Sequence, residues 1–343
     1  ALNFTYDSIT DGALIIDDGD PTVHSSANIT HSAGTTAVVG TVNIDVQTGN
    51  AAIYGTINVN YKGYQHSAGP GQGGDGDRAG GAGYGGDGGD GTGAVGGSAY
   101  GSITEPTDIG SGGGYYYTGG IGGGAVKLTI SGTTTISGTI SANGQNGPYH
   151  GGGGSGGSIW INTATLAGTG TVTVNGGTGY DSNYGGGGGG RVAVYYTTDN
   201  SSIIYQAFGG LASTSTARMG GAGTIYKKAT AAANGNLTID NNSRDSLDDS
   251  YFGTTPIDET ITFNTLTIQN YGNLETRSST NITYTTLNWS SQGIITDNGG
   301  TFVLLSDGGA LTVPATSRLY DYTERTHTGY AINGYMETRH AIT

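Results

Sequence analysis

Apolar and polar residues alternate along much of this chain, and the alternation returns at a fixed interval. Ala125-Val-Lys-Leu-Thr-Ile130, Ser158-Ile-Trp-Ile161, Arg191-Val-Ala-Val194 and Thr224-Ile-Tyr226 begin 33 residues apart each time. A two-residue period is that of a strand with one face buried. A second short alternating segment follows each opening: Thr139–Gly144, Thr171–Gly176, Ile203–Tyr205 and Asn236–Ile239. Glycine-rich returns come next, at Gly151–Gly157, Gly185–Gly190 and Met219–Gly223. Strand, strand and return at constant period predict an all-β fold, a right-handed parallel β-helix or solenoid whose units stack on one another.

An earlier copy is visible at Thr41–Val46 and Ile53–Asn60. Thr41 lies 84 residues before Ala125, one period plus an insertion of 51. The insertion, 69–124, carries glycine in triplet register at Gly80, Gly83, Gly86 and Gly89, and again at Gly85, Gly88 and Gly91. Glycine at every third position suits packed polyproline-II strands, whose close axes leave no room for a side chain. A flexible glycine loop is the alternative. Past Thr224 the interval shortens, because Ile261–Ile268 returns as Ile282–Trp289 after 21 residues. The expected organisation is therefore capping strands over 1–40 and a glycine-decorated solenoid over 41–239. An acidic linker over 240–256, plainer coils over 257–313 and a tail or edge strand over 314–343 follow.

Composition narrows the function classes. Glycine supplies 69 of 343 residues, roughly a fifth, where about 7% is usual. With only 6 prolines the chain is not collagen-like. A net charge of −14 argues against nucleic acid and anionic membrane surfaces as partners. No apolar run is long enough to insert in a membrane. Cysteine is absent, so no disulfide or thiolate metal site is available. The chain begins at Ala1 without a leader pattern, as a mature or excised segment would.

Candidate chemistry is sparse. Gly85–Gly93 fits a calcium-binding nonapeptide except that Thr92 replaces a large apolar residue. Calcium at Asp75, Asp77, Asp87 and Asp90 is one reading and solvated turn aspartates the other; no cofactor is otherwise required. Asp240, Asp245, Asp248, Asp249, Asp258 and Glu259, with Arg244 and Lys227 nearby, are the densest charges, and glycosidases use paired carboxylates. A solvated linker explains the same residues. The histidines are scattered, no nucleophile elbow or phosphate loop is present, and no catalytic residue is assigned. Tyr84, Tyr115, Tyr116, Tyr117, Tyr149, Tyr180 and Tyr184 lie in glycine-rich segments, placed either to stack on glycans or to pack over glycine backbone. Sequons at Asn3, Asn28, Asn281 and Asn288 permit glycosylation.

Gly81–Gly86, Ala99–Asp108, Gly154–Ile161, Gly187–Tyr196 and Gly221–Tyr226 followed by Leu237–Asn242 resemble the glycine-rich β-helix modules of very large secreted bacterial surface proteins. The resemblance covers about residues 40–245 and implies an extracellular or cell-surface, adhesin-like or structural role. It brings no catalytic residues. The expected function is a non-enzymatic surface module or fibre subunit, with a carbohydrate-binding module or polysaccharide depolymerase as the alternative. Its partners would be copies of itself, neighbouring modules or glycans. Leu2, Phe4 and Tyr6 at one end, and Tyr330, Ile332 and Tyr335 at the other, alternate as strands able to pair end to end.

Overall fold

The computed structural model describes residues 14–16, 20–32, 40–213, 218–244, 253–277, 280–290, 292–298, 301–304, 311–321, 330–332 and 335–338. Within them the protein is all-β, with strands in sheets of twelve, five, five and two, and no helix. In the largest sheet the long path runs Leu14–Ile16, Thr41–Val46, Ala125–Ile136, Ser158–Ala167, Arg191–Asp199, Thr224–Ala229, Gly235–Asp240, Ile261–Gln269, Asn281–Trp289, Thr301–Leu304. The 33-residue interval becomes ladder register: Ala125 pairs with Ser158, Ser158 with Arg191 and Arg191 with Thr224, all parallel. Thr41 pairs with Ala125 across the whole insertion, so the insertion leaves the ladder undisturbed.

The second segments form their own parallel sheet. Asn28–Ile29, Thr56–Asn58, Thr139–Ser141, Thr171–Thr173 and Ile204–Gln206 lie side by side. Ile57, Ile140 and Val172 line its inner face and meet Val126, Leu128, Ile159, Ile161, Val192 and Val194 of the large sheet. Each such fully buried side chain contributes about 1.5–3 kcal/mol relative to exposure. Asparagines just beyond these strands tie one layer to the next. Asn60, Asn143 and Asn175 each present Oδ1 to a backbone N–H one layer on, at Asn143, Asn175 and Phe208, over 2.7–2.8 Å.

Gly235–Asp240 departs from the expected pattern. Its Asn236–Ile239 core was expected to join the sheet of second segments. Instead the strand turns back antiparallel to Thr224–Ala229 and continues the large sheet. The later strands are parallel to Gly235–Asp240, so they run opposite to the first half. The core changes face at the same place. Val126, Ile159, Val192 and Ile225 are buried in one row, which continues into the half-buried Thr238 and Thr267 and the exposed Asn288. The adjacent row starts half-buried at Lys127 and Trp160, then becomes buried at Ala193, Tyr226, Leu237 and Leu266. A second core forms there with Phe263, Ile268, Leu274, Ile282, Trp289 and Ile295. Its facing sheet is Thr255–Ile257, Asn273–Arg277, Ile294–Asn298, Arg318–Asp321 and Tyr335–Thr338. Thr255–Ile257 is buried strand, so those residues of the expected acidic linker and the coil boundary at 257 belong to this sheet.

The glycine segments carry no strand but are densely hydrogen-bonded. Gly153 and Gly156 donate to Gly185 and Gly188 at 3.0 Å, and Gly186 and Gly189 donate to Arg218 and Gly221 at 2.9 Å. The insertion joins the same layer: Gly185 and Gly188 donate to its Ala79 and Ala82, and within it Gly110 and Gly113 donate to Gly123 and Gly120. The partners step by three residues each time. Neighbouring backbones approach so closely that a Cβ on Gly153 would lie 2.0 Å from Gly177 O, and one on Gly190 2.1 Å from Gly157 O. Only glycine fits. The segment around 100–108 crosses the outer face of the large sheet. There Arg191 Nε donates to Tyr100 O at 2.9 Å, and Tyr195 Oη donates to Thr104 O at 3.0 Å.

Candidate functional site

Two places concentrate chemistry-bearing side chains. The first is an exposed aromatic cluster built on three glycine-rich segments. Tyr116, Tyr117, Tyr149 and Tyr180 are 54%, 60%, 56% and 41% exposed, half of the large apolar side chains that face solvent among the described residues. Their rings touch in a chain: Tyr116–Tyr117 at 4.7 Å, Tyr117–Tyr149 at 5.4 Å and Tyr149–Tyr180 at 5.6 Å. His150 sits among them, 4.3 Å from Tyr149 and stacked on Tyr180 at 5.4 Å. Beneath, the buried Tyr184 places its hydroxyl 2.7 Å from His150 Nδ1.

Backbone bonds hold this cluster in place. Tyr116 N donates to His150 O at 3.1 Å, Tyr180 N donates to Gly151 O at 3.0 Å, and Tyr115 bridges to Gly151. His150 has φ of 58°, a left-handed turn that swings its ring among the tyrosines. Asp75 accepts from Tyr115 N at 3.1 Å, and Asp181, next to Tyr180 in sequence, accepts from Asn183 N at 2.8 Å. Burial raises the Tyr184 hydroxyl pKa, and the nearby Asp77 and Asp181 push the same way.

The second place is a cleft of about 250 Å³ between the insertion and the second core, lined by Asp87, Asp90, Ser98, Thr254, Glu275 and Arg277 among others. Arg277 spans it, 3.1 Å from Asp87 and 3.0 Å from Glu275, with Asp258 at 3.3 Å. Thr254 Oγ1 lies 2.9 Å from Asp87 Oδ2 and 2.7 Å from Glu275 Oε2. The other Asp87 oxygen accepts from Ala99 N at 2.6 Å. Burial pushes the Asp87 carboxyl up to about 6, against the pull of the Ala99 amide and the Arg277 guanidinium. Two carboxylates share one guanidinium and one hydroxyl, which makes a latch between segments far apart in sequence.

The residues singled out from sequence divide between these places and elsewhere. Tyr84 is a packing residue, fully buried, with its hydroxyl 2.5 Å from Ser158 Oγ. Tyr115 is half-buried against His66 at 4.7 Å, and Tyr184 supports the cluster from below. The four aspartates proposed for calcium do not converge. Among the described residues no group of three or more acidic or histidine side chains has metal-holding geometry. Asp75 bonds Ser67 and Tyr115, Asp90 accepts from Gly96 N at 2.7 Å, and Asp87 belongs to the latch. Of the acidic stretch, Asp240 bonds Gln269 and Asn270, while Asp245, Asp248 and Asp249 lie outside the described residues. Lys227 pairs with Asp199 at 2.6 Å, and Arg244 donates to Gly209 O.

Asn28, Asn281 and Asn288 are exposed, whereas Asn241, which also opens an Asn-x-Ser triplet, is buried and accepts from Gly209 N. Asn3, Leu2, Phe4 and Tyr6 lie outside the described residues. The single C-terminal edge expected from Tyr330, Ile332 and Tyr335 is instead two strands in two sheets. Tyr330–Ile332 pairs with Leu311–Val313 and Tyr335–Thr338 with Arg318–Asp321, because the two segments meet different neighbours. His150, Thr254, Glu275 and Arg277 were not singled out by sequence. The Pro148-Tyr149-His150 run between Gly147 and Gly151 was the only local signal. Comparison with known proteins finds no family that matches the chain, and no curated protein or solved structure that matches it either.

Proposed function

We propose that this protein is a right-handed parallel β-solenoid with a polyproline-II-like glycine layer, serving as a non-enzymatic module of an extracellular surface structure or fibre. The observation that carries this reading is the glycine layer itself. Its segments are buried and hydrogen-bonded at three-residue steps, so stretches with the composition of loops are part of the cohesive framework. The ladder, the core and this layer absorb the periodic residues, which is the economy of a structural rod. In the cleft, Asp87 and Glu275 are tied to one guanidinium and one hydroxyl, which supports reading that place as a structural latch.

Assembly follows from the ends. Among the described residues no strand lies beyond Leu14–Ile16 at one end of the large sheet or beyond Thr301–Leu304 at the other. A ladder edge left open is a template for another strand, and through such edges copies add head to tail or to neighbouring modules. Negative-stain electron microscopy across a concentration series tests this. Unbranched rods that lengthen with concentration are expected, and monodisperse single particles at the highest soluble concentration would contradict it.

A further inference from the structure

We propose that the Tyr116–Tyr117–Tyr149–Tyr180 cluster is a binding platform for a neutral polysaccharide. The proposal goes beyond the structural role and does not depend on assembly.

Four large aromatic side chains are held half in water by three separate glycine-rich segments. Such exposure opposes the hydrophobic effect, and a packing role does not explain it, since Tyr184 performs that role beneath the cluster and is buried. The cluster is also pre-organised. Backbone bonds at Tyr115, Tyr116 and Tyr180 fix the tips, and Tyr184 and His150 brace the rings from beneath. Rings fixed before binding forfeit little entropy on contact, and tyrosine has few rotatable bonds to freeze.

The chemistry selects the ligand. The half-exposed rings, which meet edge to face at Tyr116–Tyr117 and Tyr149–Tyr180, offer apolar surface beside phenol hydroxyls. A pyranose ring presents the complement, an apolar C–H face edged by hydroxyl groups. A protein partner fits less well. Half-exposed tyrosines give about 100 Å² each, about 400 Å² in all, half of the about 800 Å² per side that a stable protein interface takes. Charge narrows the class further. Asp77 and Asp181 lie near Tyr184 beneath the cluster, with Arg78 alongside, and the chain carries −14 overall. That field repels uronic or sulfated sugars and tolerates uncharged ones.

The test is affinity electrophoresis and calorimetry of the full chain with a soluble β-glucan, a galactomannan and dextran, and with polygalacturonate as the anionic counterpart. At least one neutral polymer binds, and polygalacturonate binds more weakly or not at all. Tyr117→Ala and Tyr149→Ala each weaken binding by about three- to tenfold, while Tyr54→Ala, an exposed tyrosine outside the cluster, leaves it unchanged. Circular dichroism checks that the variants fold. If they do not, nitration of the unmodified protein replaces them, and the polymer is expected to shield Tyr117 and Tyr149. The proposal falls if no neutral polymer binds, if polygalacturonate binds best, or if the variants bind undiminished or the tyrosines nitrate unshielded. It also falls if the two substitutions abolish a concentration-dependent self-association, since the platform would then seat a second copy. Loss of rods in microscopy with glycan binding intact would remove the assembly reading and leave this one standing.

Discussion

Tyr226 and Leu237 stand opposite each other across the one antiparallel pairing among the described strands. Tyr226 follows Ile225, whose side chain belongs to the first core, while Tyr226 and Leu237 belong to the second. Adjacent residues on a strand point to opposite faces. One continuous sheet thus serves two cores on its two sides, and the exchange happens where strand direction reverses.

Leu237 is fully buried, whereas its neighbour Thr238 stands in the row that the first core has abandoned. Leu237→Ala is expected to cost about 2–5 kcal/mol, by lost transfer energy and the cavity left behind. Thr238→Ala should cost less than about 1 kcal/mol. Urea denaturation monitored by circular dichroism measures both. The reverse ranking would mean that the core keeps to one face.

Glycine substitutions separate close approach from backbone freedom. At Gly190 a Cβ would meet Gly157 O at 2.1 Å, and two backbones cannot move apart without breaking the layer. At Gly76 nothing lies within 4 Å, and only its φ of 135° resists a side chain. Gly76→Ala should therefore cost about 1–3 kcal/mol, and Gly190→Ala clearly more. Thermal melting compares them.

The Arg277 latch gives two variants of opposite sign. Because burial pushes Asp87 up to about 6 from an ordinary 3.8, the folded protein holds this proton more tightly than the unfolded chain. That group's contribution to stability falls as pH rises from 3.8 through 6. Solvent tempers the effect, since the side chain is 20% exposed. Asp87→Asn should raise the melting temperature relative to the parent at pH 7, with the advantage fading by pH 4. Arg277→Ala leaves Asp87 and Glu275 facing each other and should cost about 1–3 kcal/mol at pH 7. Melting curves at the two pH values decide both; a loss for Asp87→Asn that is larger at pH 7 would contradict the first.

Much of the ladder was legible in the sequence because alternation marks strands and a constant interval marks register. Ala125, Ser158, Arg191 and Thr224 pair as their spacing implies, and Ile261 pairs with Ile282. The reversal at Tyr226–Leu237 was not legible, since a two-residue period reads the same in either strand direction. The latch joins residues 190 positions apart, and nothing local to Asp87 points to Arg277. The tyrosines were visible as a set but not sorted. Tyr84 and Tyr117 have similar glycine-rich surroundings in sequence, and only the approach of distant segments buries one and exposes the other.

The central claim is that the glycine segments are framework and not loop. Backbone hydrogen–deuterium exchange resolved to single amides tests it most directly. Gly153, Gly156, Gly186 and Gly189, all donors in the layer, are predicted to exchange as slowly as Ile159 and Val192 in the large sheet. Exchange of those four glycines at the rate of an unfolded peptide, with Ile159 and Val192 still protected, would contradict the account.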